Sequence, residues 1–204
     1  MAEPLAIRCA AASIDRDEAQ HGTASRVHRW LLVEQPGPWG AEAAMESRLD
    51  VDVATRLDGA ANEHGLRLLL IRRPRRAPGA SGSKDAARED SRRVFLAHSS
   101  TERSWLEALD VPAGELGGIA DLDLAALAHA ERPGIGEAHP SIHLVCTHGR
   151  HDPCCADFGR PVARALTAEG APEVWESSHL GGDRFAANLV CLPEGIYYGR
   201  VAPE

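Results

Sequence analysis

Ile142-His-Leu-Val-Cys146-Thr-His148-Gly149-Arg150-His151-Asp152-Pro153-Cys154-Cys155 passes from an apolar run through a polar turn into a run of helical spacing. Ile142 to Val145 reads as a buried strand. Asp152-Pro153 shapes the turn, and Phe158, Val162, Ala165 and Leu166 then share one side of a helix that Gly170 ends. Pro161 is placed early in that helix, where a missing N–H does no harm. Glu173 to Glu176 reads as a second strand and Ser177 to Arg184 as a second loop. Phe185 to Leu192 and Ile196 to Val201 then form a hairpin around Pro193-Glu-Gly195.

The same plan is legible upstream. Val27 to Val33 reads as a buried strand that stops at the turn cluster Gln35-Pro-Gly-Pro-Trp-Gly40. Met45, Leu49, Val53 and Leu57 recur every four residues, which predicts a helix from Ala41 to about Glu63 closed by His64-Gly65. Leu66 to Ile71 and Arg93 to Ala97 are further strands. Thr101 is expected to cap a helix bearing Trp105, Leu106 and Leu109, and Asp121 one bearing Leu124 and Leu127, ended by Pro133-Gly134. Residues 74–92 are rich in Gly, Pro, Ser and charge and read as a mobile surface loop. Each half thus runs strand, loop, helix, strand, strand. The expected fold class is α/β and thioredoxin-like, with an N-terminal unit over 1–135 and a C-terminal unit over 136–204 that carries the candidate site.

Composition narrows the functional classes. Over 204 residues, 44% are hydrophobic, enough for a core without disulfide staples, and the net charge of −8 argues against general nucleic-acid binding. Met1 to Ala12 holds Glu3, Pro4 and Arg8 and does not read as a signal peptide, and no run has the length of a membrane span. The expectation is a cytoplasmic protein, where clustered cysteines serve more often as metal ligands or redox groups than as disulfides. Cys9, alone in Cys9-Ala-Ala-Ala-Ser13, reads as a small buried hydrophobe.

Four of the five cysteines follow Leu144. Cys146 and Cys155 are nine positions apart, too far for a C-x-x-C redox pair. Cys155 falls at a helix start, where the dipole favours a thiolate. His179 and Asp183 flank Gly181-Gly182 on the second loop, whose glycines let the backbone approach closely. Cysteine and histidine on two strand-end loops are a donor set for zinc or an iron–sulfur cluster. A phosphatase loop needs an arginine six residues after the cysteine, and Arg150 stands four after Cys146. A cysteine hydrolase pairing Cys146 or Cys155 with His148 or His179 stays open, but leaves the second cysteine and the double glycine unexplained.

Cys146-Thr-His-Gly149, Asp152, Cys155, Gly159-Arg-Pro161, Trp175-Glu-Ser-Ser-His179-x-Gly-Gly, Arg184-Phe-Ala186 and Tyr198-Gly-Arg200 resemble the sucrase/ferredoxin-like family. Trp30-Leu-Leu-Val33, Pro36-Gly-Pro-Trp39 and Leu70-Ile-Arg-Arg73 extend the resemblance over nearly the whole chain. It implies a thioredoxin-like domain with a 2Fe–2S cluster, held by two cysteines of the first loop and two histidines of a His-x-Gly-Gly-His loop. Carried over, Cys146, Cys155 and His179 are ligands, while the second histidine is Asp183 here. Asp183 is then expected as the fourth ligand, with Cys154 or Cys191 as substitutes. His148, His151, Gly181, Gly182 and Arg184 would support the cluster from behind, and Arg150 would offset its charge or receive an acidic partner. Arg200 and Tyr198 are expected to pack or pair beneath the loops. The implied role is single-electron transfer to an unknown redox partner protein rather than turnover of a substrate. The alternatives are a redox enzyme or sensor using the Cys154 thiol, and a structural zinc module.

Overall fold

The computed structural model describes residues 8–74, 90–129 and 131–203. Among these, β1 (Arg29–Glu34), β2 (Arg67–Arg72), β3 (Ser91–His98), β4 (Trp105–Pro112), β5 (Glu137–Ala138), β6 (Ile142–Cys146), β7 (Val174–Ser177), β8 (Leu189–Leu192) and β9 (Ile196–Tyr198) form one sheet in the order β5-β4-β3-β1-β2-β7-β6-β8-β9. α1 (Cys9–Asp15) precedes the sheet, α2 (Val51–His64) joins the parallel pair β1 and β2, and α3 (Pro153–Ala168) joins the parallel pair β6 and β7. Antiparallel pairing of β2 with β7 joins the two parts of the sheet. No helix of the described residues is long and apolar enough to cross a membrane.

Alternation along the strands sorts the core. Trp30 and Leu32 of β1 face one way with Phe95, Leu144, Cys146 and Trp175; Leu31 and Val33 face the other way, onto Leu57 and Ala61 of α2. Both faces are covered, which is why β1 reads as an unbroken apolar run. The sheet curls, so that Phe95 of β3 meets Trp175 of β7 edge to face at 5.6 Å although two strands lie between them in the sheet. At one end Ser99 ties the curl, accepting from the Trp30 indole (2.9 Å) and donating to the Pro193 carbonyl (2.6 Å). α3 covers Val145, Val174 and Leu189 on the outer side with Val162 and Ala163.

Several local expectations are corrected. Trp105, Leu106 and Leu109 lie on β4, paired along its length with β3, and not on a helix. A four-residue spacing fits the two-residue repeat of a strand as well as a helical turn, so 105 and 109 share a face either way. Helix α2 starts only at Val51, where the Asp50 carboxylate caps the amides of Asp52 (2.9 Å) and Val53 (3.3 Å). Upstream, the Glu46 carboxylate accepts the Ala41 amide at 2.6 Å and holds residues 41–49 in turns, leaving Met45 half exposed. Asp121 caps nothing; it pairs with Arg56 at 2.7 Å, and Leu124 and Leu127 are buried from a 3-10 turn, Leu124–Ala128. Phe158 is exposed, and Pro161 is the ninth residue of α3, not an early one, because the helix already begins at Pro153. Of residues 74–92, Ser91 and Arg92 open β3, while 75–89 lie outside the described residues.

Candidate metal centre

The candidate ligands are set by element ends. Cys146 is the last residue of β6, and Cys155 lies in the first turn of α3. The Asp152 carboxylate starts that turn by accepting the Cys154 amide at 2.7 Å. α3 runs so close to β6 that a Cβ at Gly159 would collide with the Cys146 carbonyl oxygen. His179 follows the end of β7. Gly181 and Gly182 hold φ of 96° and 68°, and a Cβ there would meet only ordinary contacts, so backbone conformation rather than crowding calls for glycine.

These elements bring the donor atoms of Cys146, Cys155 and His179 within 4.8 Å of one another. Both thiols are fully buried, and Cys155 Sγ lies 3.8 Å from His179 Nδ1. The Cys146 thiol is held well below its usual range, first by the hydrogen bond from Cys155 and against the cost of burial, with help from His179 and the amides of His148 and Leu180. Cys155 is pushed up by the same bond and by burial. Two buried sulfurs beside an imidazole are a donor set for a thiophilic metal.

On its other side the His179 ring meets Asp183, with Nε2 3.8 Å from the carboxylate. Asp183 therefore lies against the nitrogen opposite the one facing Cys155. The His148 ring sits behind, its Nδ1 accepting the His179 amide (3.2 Å) and its Nε2 donating to the Gly40 carbonyl (2.6 Å). Burial lowers the His148 pKa and keeps the ring neutral, which this donor–acceptor pattern requires. His151 is exposed and stacks on His179 with centroids 3.7 Å apart. Beside these rings opens a cleft of about 410 Å³ lined in part by Met45, Arg67, His148, His151 and His179.

Cys154 points elsewhere. Its sulfur, buried in α3, lies 3.4 Å from Cys9 Sγ of α1. Cys9, also 3.4 Å from Asp152 Oδ2, is pushed up to about 12 by burial, Cys154 and Asp152. Cys191 packs on β8 beside Val145 and Val162 and joins neither donor group. Arg184 pairs with Glu18 (2.7 Å), and Arg200 donates to the Glu18 carbonyl (2.7 Å) and the Ser13 hydroxyl (3.0 Å), so the first fastens the α1 segment to the second loop and the other to the residues after β9. Tyr198 is half exposed and Arg150 lies at the surface.

Sequence reasoning missed Arg72. Its guanidinium bonds Glu176 (2.8 Å) and the Gly37 carbonyl (2.7 Å) and covers the Trp39 ring at 4.1 Å, while Thr147 also donates to Glu176. Arg72-Arg73 after an apolar strand was the available signal, but its reach across to β7 is a tertiary fact.

The family model for Sucrase/ferredoxin-like proteins matches residues 20–204. The chain belongs to the sucrase/ferredoxin-like family. It matches none of the curated proteins and none of the solved structures. In this sucrase/ferredoxin-like chain the family span includes both strand-end loops, whereas α1 and Cys9 precede it.

Proposed function

We propose that this protein carries a 2Fe–2S cluster at Cys146, Cys155 and His179, with Asp183 beside them, and passes single electrons to a partner protein. The observation that carries the reading is the convergence of two buried thiols and one imidazole within 4.8 Å from two loops far apart in sequence. The donor types fit the group, since thiolate and imidazole both ligate such clusters. When bound, the cluster would take up and release one electron.

The chain's own residues prepare for that role. Asp183 occupies the position where the resemblance expects the fourth ligand. From the Nε2 side of His179 its carboxylate orients the ring and adds negative charge, which disfavours reduction. With two histidines the oxidised site would be neutral; the Asp183 carboxylate, as ligand or beside the His179 ring, brings its charge to about −1. We therefore place its potential between the Rieske range, above about −150 mV, and plant-type ferredoxins near about −400 mV. Gly181 and Gly182 shape the second loop and His148 fixes its backbone. Exposed His151, stacked on His179, is the contact through which a partner would approach.

We read the chain as two thioredoxin-like units, 1–135 and 136–204, acting in a reducing cytoplasm. Support comes from strand order: β3 lies antiparallel beside β1 as β8 does beside β6, each following a strand–helix–strand step. The buried Cys154 speaks against a sensor that needs an accessible thiol there. Anaerobic purification tests the reading: iron and acid-labile sulfide near about two each per chain, visible absorption, and a spin-resonance signal on reduction. A colourless protein with about one zinc at Cys146 and Cys155 would instead make it a structural zinc module.

A further inference from the structure

The second sulfur cluster is built as a site in its own right. Cys9 Sγ, Cys154 Sγ and an oxygen of Asp152 lie within 4.8 Å of one another, with Cys9 3.4 Å from each of the other two. Asp183 Oδ2 reaches Cys9 Sγ at 3.9 Å on a further side. Tetrahedral zinc, with Zn–S near about 2.3 Å and Zn–O about 2.0–2.2 Å, needs edges of about 3.8 Å between sulfurs and about 3.5 Å between sulfur and oxygen. The two spacings from Cys9 lie close to those edges. Asp152 is already oriented, because its Oδ1 caps α3 through the Cys154 amide and leaves Oδ2 facing Cys9. Ala10 and Ala186 close the apolar wall around the sulfurs, and Arg184 and Arg200 clamp α1 in place.

We infer that Cys9, Cys154 and Asp152 form a second metal site, for a zinc-like divalent cation, with Asp183 next to the fourth position. Binding exchanges the two thiol protons for the cation and forms two metal–sulfur bonds. A disulfide between the same pair would leave Asp152 Oδ2, 3.4 Å from Cys9 Sγ, turned onto uncharged sulfur, whereas a cation gives it a ligand's role. The site's three ligands are distinct from Cys146, Cys155 and His179, and only Asp183 borders both groups. Its ligand Cys9 lies on α1, outside the family-matched span. Bound cation would fasten α1 to the start of α3 and to the second loop.

Cobalt(II) is the probe, added anaerobically with reductant to the full chain carrying Cys146→Ala and Cys155→Ala. About one cobalt per chain is expected, with tetrahedral d–d bands and sulfur-to-cobalt absorption of two thiolates. Adding Cys9→Ser should weaken binding by at least about tenfold and halve that absorption. No cobalt uptake by a background chain that still melts cooperatively would overturn the site, as would binding indifferent to Cys9→Ser. If the background chain does not fold, zinc content is compared between the unsubstituted chain and Cys9→Ser alone. A difference of about one zinc per chain supports the site and no difference overturns it. Iron–sulfur absorption is read in the same samples. Its persistence in Cys9→Ser is expected, and its loss would assign Cys9 to the cluster instead and end this proposal.

Discussion

His148 spends both ring nitrogens on backbone, one on the His179 amide and one on the Gly40 carbonyl, so it holds together loops from the two ends of the chain. Replacing it with Ala strands two part-buried backbone groups, and we expect a loss of about 1–2 kcal/mol in urea unfolding together with weaker retention of metal at His179. Asp183 acts differently, since it is partly exposed and faces the side chain of His179 and the Cys9 thiol. Asp183→Asn removes one negative charge without removing volume. The reduction potential of the iron–sulfur form should rise, as it should in Asp183→His, and spectroelectrochemistry reads both. An unchanged potential and spectrum in both variants would take Asp183 out of the cluster's surroundings.

At the scale of elements, two contacts set where the loops face each other. The first is the approach of α3 to β6, which a side chain at Gly159 cannot share with the Cys146 carbonyl. Gly159→Val should force the helix outward, destabilise the fold by about 1–3 kcal/mol, and separate Cys155 from Cys146, seen as lower metal content in whatever protein folds. The second is the seam between β2 and β7, where Arg72 pairs with the nearly buried Glu176 and reaches the Gln35–Gly40 turn. Arg72→Ala leaves the Glu176 carboxylate buried and unpaired, and a cost of about 3–5 kcal/mol is expected by chemical denaturation. Glu176→Gln, which keeps an acceptor for Thr147 and Arg72, should cost less.

Over the whole molecule the curl of the sheet places His139 against Phe95, edge on at 5.4 Å, with its Nδ1 buried and unpartnered among the described residues. Burial lowers its pKa; nearby Glu173 opposes this and Arg93 and Arg73 add to it. The unfolded chain then binds the proton more readily than the folded one. Stability should be full above about pH 6.5 and fall as the pH drops below it toward the lowered folded value. In His139→Gln the difference in Tm between about pH 7.5 and pH 5.5 should shrink, with His148, lowered in the same direction, responsible for much of what remains. What sequence determined by itself was the α/β class, seven of the nine strands, α3 and the trio Cys146, Cys155 and His179, because apolar runs, helix punctuation and donor residues at strand ends are local signals. The strand β4 was misread because its four-residue spacing satisfies two geometries at once, and the early turns of residues 41–49 because hydrophobic period says nothing of the Glu46 carboxylate that folds them back. Only the tertiary structure decided that Asp183 lies on the far side of the His179 ring, that Arg72 joins the two parts of the sheet, and that Cys9 meets Cys154. Those meetings depend on how a curled sheet brings distant elements together, a matter of packing in three dimensions that no spacing along the chain encodes.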